Sequence, residues 1–355
     1  MELKNIAVLG PGGNVGTAIL NELLKDSSSP PFTITLITRQ TSSYTLPANL
    51  TATNNNNTVT HKTADYTSSA SLESAFHNQD AIVNCVTGSA TQYDASRLMI
   101  DAAIAAGVKL FFTNEFVGDI ASPRYQRMPE AFVGAKVRIR RDLEMLASEG
   151  KISWTSLNGG PFFDMCRWLM KGPAGISVRD AHACIYGTGN TPLYWTPLPT
   201  IARAAAAMLR DPLPIMNRAI HICPFVAERG AQSCLTQRTL IRTLEAKLGK
   251  QFSVENVDVE RINNNALAVL EKYDKDLPGG KENIGLAIKG LGIGNQFYDE
   301  EKDGCHGDNF SRLVENEVVG VKTMGVEDAV KDAIEQYGRD CAVVEGMFRV
   351  DACEV

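Results

Sequence analysis

The sequence has no run of about 18 uninterrupted apolar residues, so no segment is long enough to cross a bilayer as a helix. It also lacks an excess of positive charge. Its 35 basic and 41 acidic side chains leave a net charge of −6, which repels nucleic acid and anionic membrane from most of the surface. CxxC spacing is absent. The eight cysteines, Cys85, Cys166, Cys184, Cys223, Cys234, Cys305, Cys341 and Cys353, are scattered over 355 residues. That argues against a structural zinc or a disulfide framework and for thiols in the core or at the surface. No internal repeat is found and no charged-then-apolar leader. Residues 1–10 read instead as a strand running into a glycine turn, so a cytoplasmic protein is expected. What remains, with 44% hydrophobic and 21% charged residues, is the composition of a globular protein with a sizeable core.

Within that composition, short β-type runs alternate with helical patterns. Residues 6–9, 33–37, 59–63, 81–86, 109–113 and 153–157 are apolar and often β-branched, as strands buried on both faces are. Helical spacing fills 15–25, 71–77, 96–106 and 130–148, with Gly107 and Gly150 stopping the last two. The pattern predicts an α/β fold, a Rossmann-type doubly wound parallel sheet with a smaller α+β substrate-binding portion. The division is placed at 1–158 for the dinucleotide-binding domain and 159–355 for the substrate portion, some of whose elements return to the sheet. Strands are expected there at 183–186, 219–223 and 252–257, and helices at 199–210, 237–248 and 326–337. Residues 38–58, polar and rich in asparagine, read as a mobile surface loop. The glycine-rich stretch 285–294 reads as a lid hinge or a loop.

The first turn carries the chemistry. Gly10-Pro11-Gly12-Gly13-Asn14-Val15-Gly16 lies between the first strand and the first helix. There Gly10 makes a tight turn, Gly13 lets backbone approach a pyrophosphate, and Gly16 lets helix pack on strand. The N–H groups opening the helix favour phosphate. At the end of the second strand there is no Asp or Glu for the ribose hydroxyls; Arg39 stands there, suited to pair bidentately with a 2′-phosphate. Gln40, Thr41 and Ser42 add neutral donors, and the cofactor expected is NADP(H). Asp65 reads either as an adenine-side contact or as a turn residue.

A lysine interrupts an apolar stripe. Phe132, Ile139, Leu143 and Leu146 share a helical face, and Lys136 falls between the first two. It must snorkel to water, find an oxygen partner or lose its proton; directed at a cofactor cleft, it can exchange a proton with substrate. Phe132 and Lys136 have the spacing of the Tyr-x-x-x-Lys pair of short-chain dehydrogenases, with no phenol to donate a proton. Arg138, Arg140, Arg141, Asp142 and Glu144 read as the solvated side of the same helix.

Taken together, these pieces resemble the NmrA-like, isoflavone-reductase-like family of atypical short-chain dehydrogenases. The resemblance is carried by Gly10, Gly13 and Gly16, by Arg39, by the segment from Asp101 through Thr113-Asn114-Glu115-Phe116, and by Lys136 four residues before Arg140-Arg141. It implies that Lys136 is the catalytic lysine beside the nicotinamide ribose. Thr87, Gly88 and Gln92 are then expected by the nicotinamide, and Asn158 to Phe163 along the substrate, Asn158 counting also as a cofactor contact. Here Val117 stands between the Glu-Phe pair and Gly118, a departure from the family pattern.

Phe162, Phe163, Trp168, Tyr194 and Trp195 read as pocket lining or as core, and Tyr125 as a further candidate substrate contact. Asp164, Cys166, His182 and Cys184 suggest no triad and no metal site by spacing. The expected activity is NADPH-dependent reduction of a bulky aromatic or heterocyclic small molecule at a C=C, C=N, carbonyl or quinone-methide group, with natural-product biosynthesis implied by the family. The protein is expected as a monomer or homodimer. Two alternatives remain: a redox-sensing regulator that binds dinucleotide without turnover, and an NADP(H)-assisted cyclase or isomerase of secondary metabolism.

Overall fold

Alternate residues of the central strands face two different cores, and that alternation fixes the architecture. In the computed structural model, which describes residues 1–45, 58–164, 175–273, 280–299 and 310–339, the strands β1 (Asn5–Leu9), β4 (Ala81–Asn84) and β5 (Leu110–Phe112) lie at the sheet centre. Ile6, Val8, Ala81, Val83, Leu110 and Phe112 point to one side, where they meet Ile19 and Leu23 of α1 (Asn14–Lys25) and Ile201 and Met208 of α5 (Leu198–Arg210). Ala7, Leu9, Ile82 and Phe111 point to the other. There they meet Phe76 of α2 (Ser69–Phe76), Met99 and Ile100 of α3 (Tyr93–Ala105), and Ile139, Leu143 and Leu146 of α4 (Lys136–Ser148). Strands buried on both faces have no polar side to alternate with, which is why they read as continuous apolar runs.

Adding β2 (Thr33–Arg39), β3 (Thr58–Ala64), β6 (Ser153–Asn158) and β9 (Arg218–His221), the seven strands run in the order β3-β2-β1-β4-β5-β6-β9, all pairs parallel. The order reverses between β1 and β4, so their carboxyl ends splay apart and open a crevice there. β9 comes from the second half of the chain and pairs with β6, Asn158 opposite His221. A second sheet, β10 (Ser253–Val257), β8 (His182–Tyr186) and β7 (Ile176–Ser177), packs through Tyr186 against α6 (Gln237–Leu248), Trp195 and Phe225 in a third core. Among the described residues no helix is long and apolar enough to cross a membrane.

Several expectations are corrected. β3 is a terminal strand and exposes most of its side chains, so its Thr-Val-Thr-His-Lys-Thr run is not a buried one. The helix expected over 130–148 is cut in two, because Gly134 adopts φ +81° and Ala135 N–H turns to Thr91 O at 3.0 Å. Phe132 is therefore in a separate helical turn and 41% exposed, off the α4 stripe. The stretch 285–294 is neither loop nor hinge but part of α8 (Gly280–Phe297), which lies against α7 (Val259–Glu271). Gly294 shows why glycine is used: a Cβ there would sit 2.3 Å from Asn263 Oδ1. Cys184 is disulfide-bonded rather than a free thiol. Of the loop expected over 38–58, residues 46–57 lie outside the described residues, as do Cys166 and Trp168.

The glycines separate by what surrounds them. A Cβ on Gly16 would meet Gly10 O at 2.2 Å, whereas one on Gly285 meets nothing within 4 Å. Gly16→Ala is expected to lose about 1–3 kcal/mol of stability through overpacking, and Gly285→Ala to gain up to about 1 kcal/mol from helix propensity. Urea unfolding of the two variants side by side checks both signs.

Candidate active site

The crevice at the β1–β4 reversal holds a cavity of about 400 Å³. Gly10, Pro11, Gly12 and Gly13 form one wall, Arg39 with Thr38, Ser42, Ser43 and Tyr44 a second, and Cys85, Val86, Thr87 and Ala90 a third. The turn is built for glycine. Gly10 has φ +71°, and a Cβ there would lie 2.8 Å from Cys85 O. A Cβ on Gly12 would come 2.9 Å from the Tyr44 ring, itself edge-on to His61 at 5.8 Å. Gly13 is the N-cap of α1 and offers no side-chain oxygen to the first turn, which leaves that end of the helix shaped for an anion. Asn14 and Val15 open the helix but do not line the cavity, and Gly16 packs behind it against Gly10. Asp65 is a turn residue: its Oδ1 accepts from Thr67 N and Oγ1, and it does not line the cavity. Gly88 opens the single turn Gly88–Thr91 and Gln92 caps its end; both stand outside the lining, although Thr87 is in it.

Lys136 lies one residue away from this cavity. It is the first residue of α4, and its Nζ donates to Asn114 O at 2.6 Å and Asn114 Oδ1 at 3.2 Å. Asn114 Nδ2 in turn donates to the carbonyl of Val86, in the cavity wall. Burial brings the lysine down to about 8 against the opposing pull of the Glu115 carboxylate. The α4 N-terminus also disfavours a cation. An ammonium has three hydrogens. Two are committed to Asn114, which leaves one without a partner among the described residues.

Behind Lys136, one turn along α4, Arg140 faces inward, not to solvent. Its Nε and Nη2 donate to the two oxygens of Glu115, whose side chain is 0% exposed. Geometry explains the correction, since Arg140 is four residues after Lys136 and shares its face. Arg138, by contrast, lies over the Tyr93 ring at 3.6 Å and pairs with Glu130 at the surface. Asn158, fully buried, donates to Glu115 Oε2 at 3.1 Å and to Ser156 Oγ at 3.2 Å, so its side chain serves this ion pair and does not line the cofactor-type cavity. Phe116, next to Glu115, is held at φ +41°, a region that favours glycine.

A second, smaller cleft of about 80 Å³ lies between Gly118-Asp119, Gly160-Pro161, residues 192–195, Asn295-Gln296 and Phe310. Trp195 lines it, as does Tyr194. Phe162 is half-buried, Phe163 is fully buried against Phe225 at 5.4 Å, and Tyr125 donates its hydroxyl to Val133 O at 3.3 Å; none of the three lines either cavity. Burial and the Glu115 charge push the Tyr125 phenol well up, so it stays neutral. His221, at the end of β9, comes within 3.9 Å of Asp119 Oδ1. Burial, with Arg140 and Arg218 nearby, lowers it to about 4. Asp119 moves the other way, raised first by burial and further by Glu115.

Sequence reasoning missed Tyr44, Asp119 and His221, which are ordinary residues until the fold assembles them. For Glu115 and Arg140 a signal existed: both stand in the segments that carried the family resemblance. A third acid-and-base group, His182, Cys184 and Glu255, has ligand-type atoms within 4.8 Å of one another, but the Cys184 sulfur is taken by its disulfide.

Residues 2–156 match the NmrA-like family. An oxidoreductase of Aspergillus flavus, aprR, is 27% identical over 75% of this chain and 82% of its own. An isoflavone reductase homologue of Zea mays is 29% identical over 58% of this chain and 62% of its own. Among solved structures, the leucoanthocyanidin reductase–NADPH complex of Vitis vinifera superposes with a TM-score of 0.63 at 16% identity, covering 93% of this chain and 99% of that one. The segment 2–156, with its glycine turn and lysine-bearing helix, is thus similar to the NmrA-like family, in line with the resemblance read from the sequence.

Proposed function

We propose that the protein is an NADPH-dependent oxidoreductase that reduces an aromatic or heterocyclic small molecule at a polarised C=C, C=N, carbonyl or quinone-methide group. The observation that carries the reading is that the glycine turn, Arg39 and Thr87 line one cavity at the topological switch point. In this reading Gly10, Gly12 and Gly13, with the N–H groups of Asn14 and Val15, hold the pyrophosphate. Arg39 binds the 2′-phosphate, helped by Ser42 and Ser43. Thr87, Gly88 and Gln92 border the nicotinamide. When bound, the dinucleotide supplies the hydride.

The chain's own contribution is positional and electrostatic. Lys136 is held by Asn114 with one N–H uncommitted, and that hydrogen is directed to the oxygen or nitrogen on which negative charge gathers as the acceptor is reduced. Near neutral pH the ammonium is mostly protonated and can also surrender a proton, because burial has brought it close to that range. Residues 159–355 provide the substrate side, where Tyr194, Trp195 and Phe310 give the second cleft aromatic walls.

For Arg39→Ala, the NADPH dissociation constant is expected to rise roughly 10- to 100-fold, the value of one or two charge-assisted hydrogen bonds, while that for NADH stays within about twofold. Fluorescence titration with both dinucleotides measures the difference. Lys136→Met is expected to slow single-turnover NADPH oxidation by about 100-fold, a modest acid–base contribution. In the wild type the rate falls as pH rises through about 8, because the cation is present below that value and lost above it. That inflection is absent from the variant's pH profile.

A further inference from the structure

The second cleft is lined by aromatic residues and one acid. Tyr194 and Phe310 lie with ring centroids 5.7 Å apart along one side. Asp119 also lines the cleft, with its side chain 12% exposed. Its Oδ1 accepts from Ala121 N–H at 2.9 Å; Oδ2 has no hydrogen-bond partner among the described residues. His221 is edge-on to Phe310 at 5.6 Å, and its Nε2, buried and without a hydrogen-bond partner, stays 3.9 Å from Asp119 Oδ1. Arg140, the nearest strong cation of the cluster, is spent on Glu115 in a two-point pair. Among the described residues Asp119 thus has no internal donor for its second oxygen, and it lines a cleft bounded by aromatic residues.

We propose that Asp119 is the specificity-determining residue of this cleft, and that it selects substrates whose ring edge presents a hydrogen-bond donor, a phenolic hydroxyl or a ring N–H, over the same ring capped by a methyl group. This rests on the oxidoreductase reading and adds the substrate feature that reading leaves open. The size of the cleft sets its reach. At about 80 Å³ it is smaller than the roughly 150 Å³ cavity that encloses benzene, so it takes a substituent and the ring edge carrying it, not a whole polycyclic body. A buried carboxylate left without a donor is costly, and a methyl ether would leave it so while also displacing the water that could otherwise satisfy it. Burial is the largest influence on Asp119 and raises it, Glu115 adds to that, and the Ala121 N–H and Arg140 oppose it; a further hydrogen bond donated to the carboxylate would favour its charged form.

The test needs no turnover. 4-Fluorophenol and 4-fluoroanisole are titrated to about 10 mM, a fragment's range, against wild type, Asp119→Asn and Asp119→Leu, with fluorine NMR line broadening as readout and NADPH fluorescence titration on the same samples. Wild type is expected to bind the phenol about tenfold more tightly than the anisole, the worth of one hydrogen bond to a charged acceptor. The isosteric Asp119→Asn keeps an acceptor and part of the preference; Asp119→Leu abolishes or inverts it. Equal binding of the two probes to wild type, binding of neither, or a preference that survives Asp119→Leu overturns the proposal. Loss of the preference with NADPH binding intact removes this subsite alone, whereas a preference without NADPH binding removes the cofactor reading alone.

Discussion

A single buried ion pair holds the chemical end of the molecule together. Glu115 leaves the carboxyl end of β5 with no exposed side-chain surface, a position that an ionised carboxylate occupies only when paired and hydrogen-bonded. Arg140 supplies two donors in fork geometry and Asn158 a third. The pair therefore fixes α4 against the ends of β5 and β6. Because Lys136 is one helical turn before Arg140, the same contact sets where the lysine emerges. Asn114, the neighbour of Glu115, then receives the ammonium through both its carbonyl and its side-chain oxygen. Remove the charge on either partner and the other is left uncompensated in a dry site, so the position of the lysine is coupled to the packing at the carboxyl ends of β5 and β6.

The rest of the scaffold supplies a place for that lysine to act on. Parallel strands put all their carboxyl ends at one side, and the reversal between β1 and β4 opens the only kind of gap a doubly wound sheet provides for a ligand. Gly16 lets α1 press on the turn, which brings the start of the helix to the mouth of the gap. Asn114, in the segment after β5, ties Lys136 to the Val86 carbonyl in the cavity wall, and Gly118 and Asp119, a few residues further on, line the second cleft.

Much of this was legible in the sequence because its cause is local. Buried parallel strands announce themselves as apolar runs, and the glycine turn has a fixed order of residues for steric reasons that the Cβ distances make explicit. The strands of the first half and the turn were therefore readable, as was Arg39 at the end of β2. The helix over 130–148 misled because apolar spacing continues through Gly134, and nothing in a periodic pattern reveals that one glycine takes a positive φ. Residues 285–294 misled in the opposite sense: glycine ordinarily breaks helices, but where two helices pack as closely as Gly294 and Asn263 do, only glycine fits. Arg140 seemed a surface residue because its charged neighbours are. Its partner is 25 residues away in sequence, on another element. Asp119 and His221 are farther apart still and meet only because β9 returns to pair with β6.

The cluster also sorts its ionisable groups by task. Glu115 and Arg140 neutralise each other, yet Glu115 still favours the charged form of Lys136 and the neutral forms of Asp119 and Tyr125. Burial opposes charge on Lys136, Asp119, Tyr125 and His221, so Tyr125 keeps its proton throughout and His221, near 4, is unprotonated at neutrality. Neither can exchange a proton near pH 7. Lys136, near 8, can, and it is the member of the cluster tied by Asn114 to the cavity wall. A general acid works best when its own affinity for the proton is close to the ambient pH. The same desolvation that makes the lysine expensive to bury thus places it within reach of that condition, while Tyr125 and His221 are driven out of it.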